Sequence, residues 1–526
     1  MLRFYVLGSL VFVGAVATLA ATIGGPGWIL LAAVAVVLLV VGVHDLVQKQ
    51  HAILRNYPVI GHMRFLMEEI RPELQQYFIE RNFDGRPYDR NTRSSIYQRA
   101  KGAQEEQPFG TERDLYAVGY EYLVHSSRPV DPMPVPPRVR VGGPECTQPY
   151  DLALLNVSAM SFGSLSAQAI QALNQGAALG GFAHDTGEGA ISPHHRHGGD
   201  LVWEIGSGYF GCRTPDGGFD ERVFAEKAAD PQVKMINIKL SQGAKPGLGG
   251  VLPGAKVDAD IAATRGVPVG ETVVSPAYHR AFSTPRELVL FVRHVRELSG
   301  GKPTGFKLCL GSRVDFLAIC KAMVEEGTTP DFVVVDGAEG GTGAAPMEYA
   351  DHVGMPLTEA LMTIDNALVG VGLRDRVRVG ASGKVATGVD VVKRIIQGAD
   401  YTNAARSMMM AVGCIQAQTC HTNTCPVGVA TQDPKRTRAL DVPTKTQRVA
   451  SYQREVMTAA TKVVASMGLH SFDDLAPHQL RRRVDHQTIR SYAEMFDYLA
   501  PGQLLTDAPP AWRADWDAAD PDRFTP

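Results

Sequence analysis

From residue 152 to about residue 411 the chain repeats one pattern: a short apolar or β-branched run, a glycine-rich loop, then an amphipathic helical stretch. The runs at 152–155, 235–240, 306–310, 332–335 and 377–379 are short and continuously apolar, which predicts strands buried on both faces. Helical periodicity over 285–298, 314–326 and 389–397 supplies crossovers between them. Repeated units of this kind fold into either a closed barrel or an open doubly wound sheet. The glycines favour the barrel, because they follow one strand after another, at 241–250, 337–343 and 380–388. An open dinucleotide-binding sheet would need a helix straight after its glycine fingerprint. GSGYFG at 206–211 has the fingerprint spacing, but Pro215, Gly217 and Gly218 follow it, so no helix starts there to receive a pyrophosphate.

The expected fold class is therefore α/β, a (β/α)8 TIM barrel with an N-terminal transmembrane helical hairpin and helical flanking segments. The hairpin is read from residues 4–43, which hold no charged residue and are interrupted only by Gly24, Gly25, Pro26 and Gly27. Each half is about 20 residues, enough to cross a bilayer core at about 1.5 Å per residue. A cleaved signal peptide competes with this reading, with Arg3 and the small residues near Ala20 in its favour and the second apolar run against it. Arg3 precedes the first helix, and Lys49, Arg55 and Arg64 follow the second. The positive-inside tendency then puts both ends on the cytoplasmic side, giving a two-pass cell-membrane anchor with a cytoplasmic catalytic domain. The expected division is 1–46 hairpin, 47–149 connector, 150–435 barrel with the cysteine segment, and 436–526 C-terminal helix and tail. Within these, 62–80 and 446–467 read as amphipathic helices, and the Pro- and Asp-rich tail from Asp507 reads as surface. Arg481, Arg482 and Arg483 are either a lipid-facing basic patch or a solvated face. A net charge of -3 gives no reason to expect nucleic acid as a partner. Seven scattered or clustered cysteines do not form a disulfide framework and suit a reducing compartment.

Three of those cysteines, Cys414, Cys420 and Cys425, have the spacing C-x5-C-x4-C. Three thiolates without a fourth nearby suit a three-iron cluster; a zinc site completed by His421 and a trio of buried thiols are the alternatives. The usual barrel phosphate site lies in the last two strand-to-helix loops, here 382–388 and 404–407, where backbone N–H groups would hold the phosphate of flavin mononucleotide (FMN).

The motifs AMSFGSLS (159–166), TGEG (186–189), IKLSQGAKPGLGG (238–250), GGTGAAP (340–346) and GCIQAQTCHTNTCPVGVATQ (413–432) together resemble the synthase domain of glutamate synthases. The resemblance implies an FMN-binding barrel, a 3Fe-4S cluster on Cys414, Cys420 and Cys425, and reductive amination of 2-oxoglutarate to L-glutamate. It implies that Ser158, Met160 and Ser161 lie along the flavin, with Gly341, Gly343, Gly383, Gly388, Ala405 and Arg406 completing the cofactor loops. Glu188, Lys239, Gln242 and Lys245 are the candidate catalytic set: lysines at a strand end suit the two carboxylates of a keto acid, and a carboxylate between two glycines suits proton transfer at nitrogen. Pairing with a structural carboxylate is the alternative for the lysines, and a capping or salt-bridge role is the alternative for Glu188.

Three departures from the family pattern shape the expectations. The loop commonly reads KPGEGGQLPG but here reads KPGLGGVLPG, with Leu248 and Val251 in place of an acid and an amide. The chain starts Met1-Leu2-Arg3 rather than with a nucleophilic cysteine, so the nitrogen source is ammonia, another amine, or a separate glutaminase subunit. His184, His194, His195 and His197 crowd around Glu188, either as hydrogen-bonded loop histidines or as a zinc site. The electron donor is left open between ferredoxin, an NAD(P)H-oxidising subunit and a quinol. Two further functions stay in view: an FMN enzyme for another amine or keto acid, such as an N-methylglutamate synthase-like one, and a redox-inactive membrane assembly subunit.

Overall fold

The computed structural model describes residues 2–103 and 106–524. It divides into two compact units, Met1–Arg90 and Asn91–Pro526. In the first, α1 (Leu2–Ala21) and α2 (Pro26–Val47) form a helical hairpin. Small residues let the two helices approach, with Ala17 and Ala35 buried and a Cβ on Gly14 reaching to 3.5 Å from the Cβ of Ala35. Both helices are long and apolar enough to cross a membrane, and little of either is buried inside the protein. The amphipathic stretch at 62–80 is helix α3 (His62–Leu74) continued by a π-helical turn, Gln75–Ile79.

The second unit is built on a closed barrel of eight parallel strands. In chain order these are β1 (Leu155–Val157), β2 (His184–Asp185), β3 (Leu201–Ile205), β4 (Val233–Lys239), β5 (Thr304–Leu308), β6 (Phe332–Asp336), β7 (Arg378–Ser382) and β8 (Tyr401–Ala404), with β8 pairing back onto β1. Helices capped by short polar side chains carry the chain from strand to strand. Ser166 caps α4 (Ala167–Gly180), Thr284 caps α5 (Pro285–Leu298), Ser312 caps α6 (Arg313–Glu326) and Thr387 caps α7 (Gly388–Ile396). Between β2 and β3 there is only a 3₁₀ turn, Pro193–His195.

Two expectations are corrected. The apolar run at 152–155 spans a break: Tyr150–Ala153 pairs antiparallel with Arg138–Val141 outside the barrel, and the barrel strand starts at Leu155. An apolar run cannot register that break, because both pieces are buried. The tail is also not simply surface, since its helix Pro510–Ala518 buries Trp512 beneath Arg313, whose guanidinium carbon lies 4.3 Å from the indole centroid. Arg481–Arg483 lie in a strand, Leu480–Arg483, paired with Glu121–Leu123 and Ile489–Ser491.

After the cysteine segment, α8 (Val442–Ser466) packs against α4 and α7. The contact with α7 explains Gly388: a Cβ there would sit 2.5 Å from the Ala460 nitrogen. This glycine therefore meets a helix-packing requirement, while the amides of Ala386 and Thr387 donate to the Asp390 carboxylate.

Candidate active site

The residues singled out from the sequence gather at the C-terminal ends of the barrel strands, where barrels of this kind carry their active sites. Ser158 follows β1, and its hydroxyl lies 3.2 Å from that of Ser382 at the end of β7. Met160 and Ser161 are buried beside it. Glu188 follows β2, and Lys239 ends β4. Barrel closure brings the Lys239 ammonium to 2.8 Å from the Glu188 carboxylate, with the two side chains 8% and 15% exposed. Gln242 Oε1 accepts a long hydrogen bond, 3.4 Å, from the same ammonium. Burial alone would raise the Glu188 pKa, but attraction to Lys239, with Arg265 and Lys307 adding to it, holds the carboxyl below its ordinary range. Burial lowers the pKa of Lys245, and the nearby Lys239 charge lowers it further.

The Glu188 carboxylate is boxed in by backbone. A Cβ on Gly250 would fall 2.0 Å from Glu188 Oε1, and one on Gly206 would fall 2.7 Å from Oε2. Gly250→Ala is accordingly expected to push Glu188 off Lys239 and lower turnover by about 100-fold, the scale of a misplacement near 1 Å. Steady-state rates on protein of unchanged cofactor content would check this; wild-type turnover would show that Glu188 tolerates the shift.

Beside this pair lies a cavity of about 540 Å³, lined by Lys245, Leu248, Val251, Gly341, Gly343 and His421 among others. That volume is in the range of small-ligand sites. Gly383 stands at the end of β7; Ala405 and Arg406 open the helix Arg406–Val412 after β8, with Arg406 donating to the Glu339 carbonyl.

Sequence reasoning missed Arg265. It ends the helix Ala259–Arg265, where a basic residue reads as an ordinary partner of the helix dipole, so no sequence signal marks it. In the structure it is buried, donates to Ser161 Oγ at 3.1 Å and to the Phe162 carbonyl at 3.0 Å, and leaves its Nε unpartnered. It also missed the buried pair of Lys307 with Glu204 inside the barrel, next to the 3.0 Å hydrogen bond from Asn237 to Asp185.

Cys414, Cys420 and Cys425 line one small enclosed cavity with Met409, Val427 and Val429. All three are free thiols. The segment winds tightly, with Gln416, Gln418 and Asn423 at positive φ, a conformation non-glycine residues adopt at a cost of about 1 kcal/mol or more each. Gln416 N–H points at Cys414 Sγ, 3.4 Å away, and the buried Thr419 hydroxyl has no partner. Burial pushes the Cys414 thiol up to about 12. Thiols gathered around one cavity, an N–H aimed at sulfur and an orphaned hydroxyl fit a cluster that takes one thiolate per iron. Among the described residues no three His, Cys, Asp or Glu side chains, these cysteines included, are arranged to hold one metal ion, and His421 lines the other cavity. The same holds for the histidine group. His184 and His195 are fully buried with ring centroids 5.3 Å apart, and burial keeps His184 neutral by lowering its pKa to about 3. Neither ring nitrogen of His184 has a hydrogen-bond partner.

An eight-stranded parallel barrel with a buried acid–lysine pair at its C-terminal rim defines an α/β-barrel protein. Residues 139–470 match the family described as the conserved region in glutamate synthase, and the chain belongs to that family. It is 37% identical to the glutamate synthase large subunit-like protein YerD of Bacillus subtilis, over 82% of this chain and 89% of that one. It is 34% identical to the archaeal-type glutamate synthase [NADPH] of Thermotoga neapolitana, covering 60% of each chain. Among solved structures, a mandelate oxidase with (S)-4-hydroxymandelic acid aligns at 14% identity and a TM-score of 0.45, over 75% of this chain and 99% of that one.

Proposed function

We propose that this protein is a glutamate synthase-like oxidoreductase that reductively aminates 2-oxoglutarate to L-glutamate, with FMN and a 3Fe-4S cluster. The observation that carries the reading is the charge balance at the rim. Lys239 pairs with the Glu188 carboxylate at 2.8 Å, and Lys245 and Arg265 are buried near enough to interact with the same carboxylate, a group of cations suited to the two carboxylates of a keto acid.

In this reading Lys245 and Arg265, with Lys239, hold the two carboxylates of the keto acid. Glu188, kept ionised by Lys239, takes two protons in turn from the attacking nitrogen and passes each to the former carbonyl oxygen, first giving the carbinolamine and then releasing water to leave the imine. Gln242 orients the Lys239 ammonium. Ser158, Met160, Ser161, Gly341, Gly343, Gly383, Gly388, Ala405 and Arg406 would hold FMN, which when bound supplies hydride to the substrate imine carbon. Cys414, Cys420 and Cys425 would hold the cluster and so pass electrons from a separate donor. Among ferredoxin, an NAD(P)H-oxidising subunit and a quinol, the NADPH in the name of the Thermotoga relative favours the second. The hairpin would anchor the catalytic unit on the cytoplasmic face.

A second reading has a specific observation behind it: Leu248 and Val251 both line the cavity, so the nitrogen substrate meets apolar walls. An alkylamine in place of ammonia would then give an N-alkylated amino acid. Turnover with a reduced dye, 2-oxoglutarate and either ammonia or methylamine separates the two. The expected product is glutamate from ammonia; faster turnover with methylamine would transfer the assignment to the second reading. A colourless preparation made anaerobically with iron present would overturn both and leave a redox-inactive assembly subunit.

A further inference from the structure

The segment that follows the hairpin carries an apolar stripe that nothing in its own unit covers. Met63, Leu66, Met67, Ile70, Leu74 and Phe78 recur at helical spacing, and their exposures run from 37% at Ile70 to 81% at Phe78. No residue of α3 or of the π-helical turn after it is buried. The other side of α3 carries Arg64, Glu68, Glu69, Arg71 and Glu73.

The depth of this segment is set by its contacts with α2. Asp45, in the last turn of α2, is fully buried and accepts hydrogen bonds from Val59 N at 2.8 Å and His62 Nε2 at 2.9 Å. Val59 reaches further back along α2: a Cβ on Gly42 would lie 3.4 Å from its Cγ2. The chain therefore turns back on the end of α2, and α3 starts level with that end rather than at the tip of a free linker. Its uncovered stripe begins where the exposed apolar surface of the hairpin stops.

We propose that residues 62–79 form an interfacial helix, lying in the headgroup region of the bilayer that the hairpin crosses, with the stripe turned toward the acyl chains. The proposal rests on the membrane reading of the hairpin and extends it. An amphipathic helix with charges on one face and large apolar side chains on the other is the kind of segment that lies in this plane. Arg64 is paired with Glu68 at 3.2 Å and the polar face carries three glutamates against two arginines, so attachment would rest on the apolar stripe, with Lys49 and Arg55 supplying positive charge between α2 and α3.

The test uses the full chain in nanodiscs of phosphatidylcholine and phosphatidylglycerol. Photoreactive benzoylphenylalanine replaces Met67 or Phe78 on the stripe, Glu69 on the polar face, or Val36 in α2, all of them exposed positions. Lipid adducts are expected from Met67, Phe78 and Val36, in several-fold excess over Glu69. Adducts at Val36 together with protein cross-links at Met67 and Phe78, to a second copy or to the barrel, would overturn the interfacial helix and leave the anchor standing. Stripe yields no higher than that of Glu69 would do the same. Absence of adducts at Val36 would sink the membrane reading and this proposal with it.

Discussion

Glu188→Gln is expected to lower kcat by about 100- to 10,000-fold, the range of a lost general acid-base group. The KM for 2-oxoglutarate should stay level or fall. Glutamine keeps the shape of the side chain but removes the proton acceptor, and it frees the Lys239 ammonium, 2.8 Å away, to attract a substrate carboxylate. Steady-state kinetics on protein with unchanged flavin absorbance would check the split; a wild-type kcat would remove Glu188 from the chemistry. The same variant has a pH signature. The folded-state pKa of Glu188 lies below its ordinary value of 4.5, so its charge stabilises the fold above that value. That contribution is lost as pH falls through the lower, folded-state pKa. The melting temperature of the wild type should therefore exceed that of the variant near neutrality, and the gap should narrow in acid.

Cys420→Ser is expected to remove the cluster signal in electron paramagnetic resonance and to reduce donor-driven turnover by more than tenfold, since a hydroxyl is a far poorer iron ligand than a thiolate, whereas a packing cysteine would tolerate the swap. Cys320, fully buried and remote in sequence from the cluster segment, is the control. Cys320→Ser should disturb stability and leave the signal in place. A signal that survives Cys420→Ser would withdraw the ligand assignment. Dye-driven activity should fall less than donor-driven activity in the Cys420 variant, because the dye reaches the flavin without the cluster.

Much of the frame was legible from periodicity. The helix at 285–298 coincides with Pro285–Leu298, and the strands near 235, 306, 332 and 377 are β4 to β7 to within a few residues. Long, strongly patterned elements are legible because their burial is written along the chain. β2 was not, since two residues, His184 and Asp185, are too short to show a period. The 152–155 run failed for the opposite reason, as two differently paired strands share one apolar stretch.

At the site, sequence by itself determined which residue types were available: a carboxylate between glycines, lysines at the end of a strand, and three cysteines in one short segment. Only the tertiary structure decided how they combine. Closure of the barrel sets Glu188 against Lys239, and the loops that follow its strands bring in Arg265 from a helix that carries no sequence mark and line the larger cavity with His421. The physical reason is range. Strand and helix periods are local and are fixed by neighbours a few residues apart, whereas charge pairing and shared cavities depend on distances that exist only once the sheet has closed.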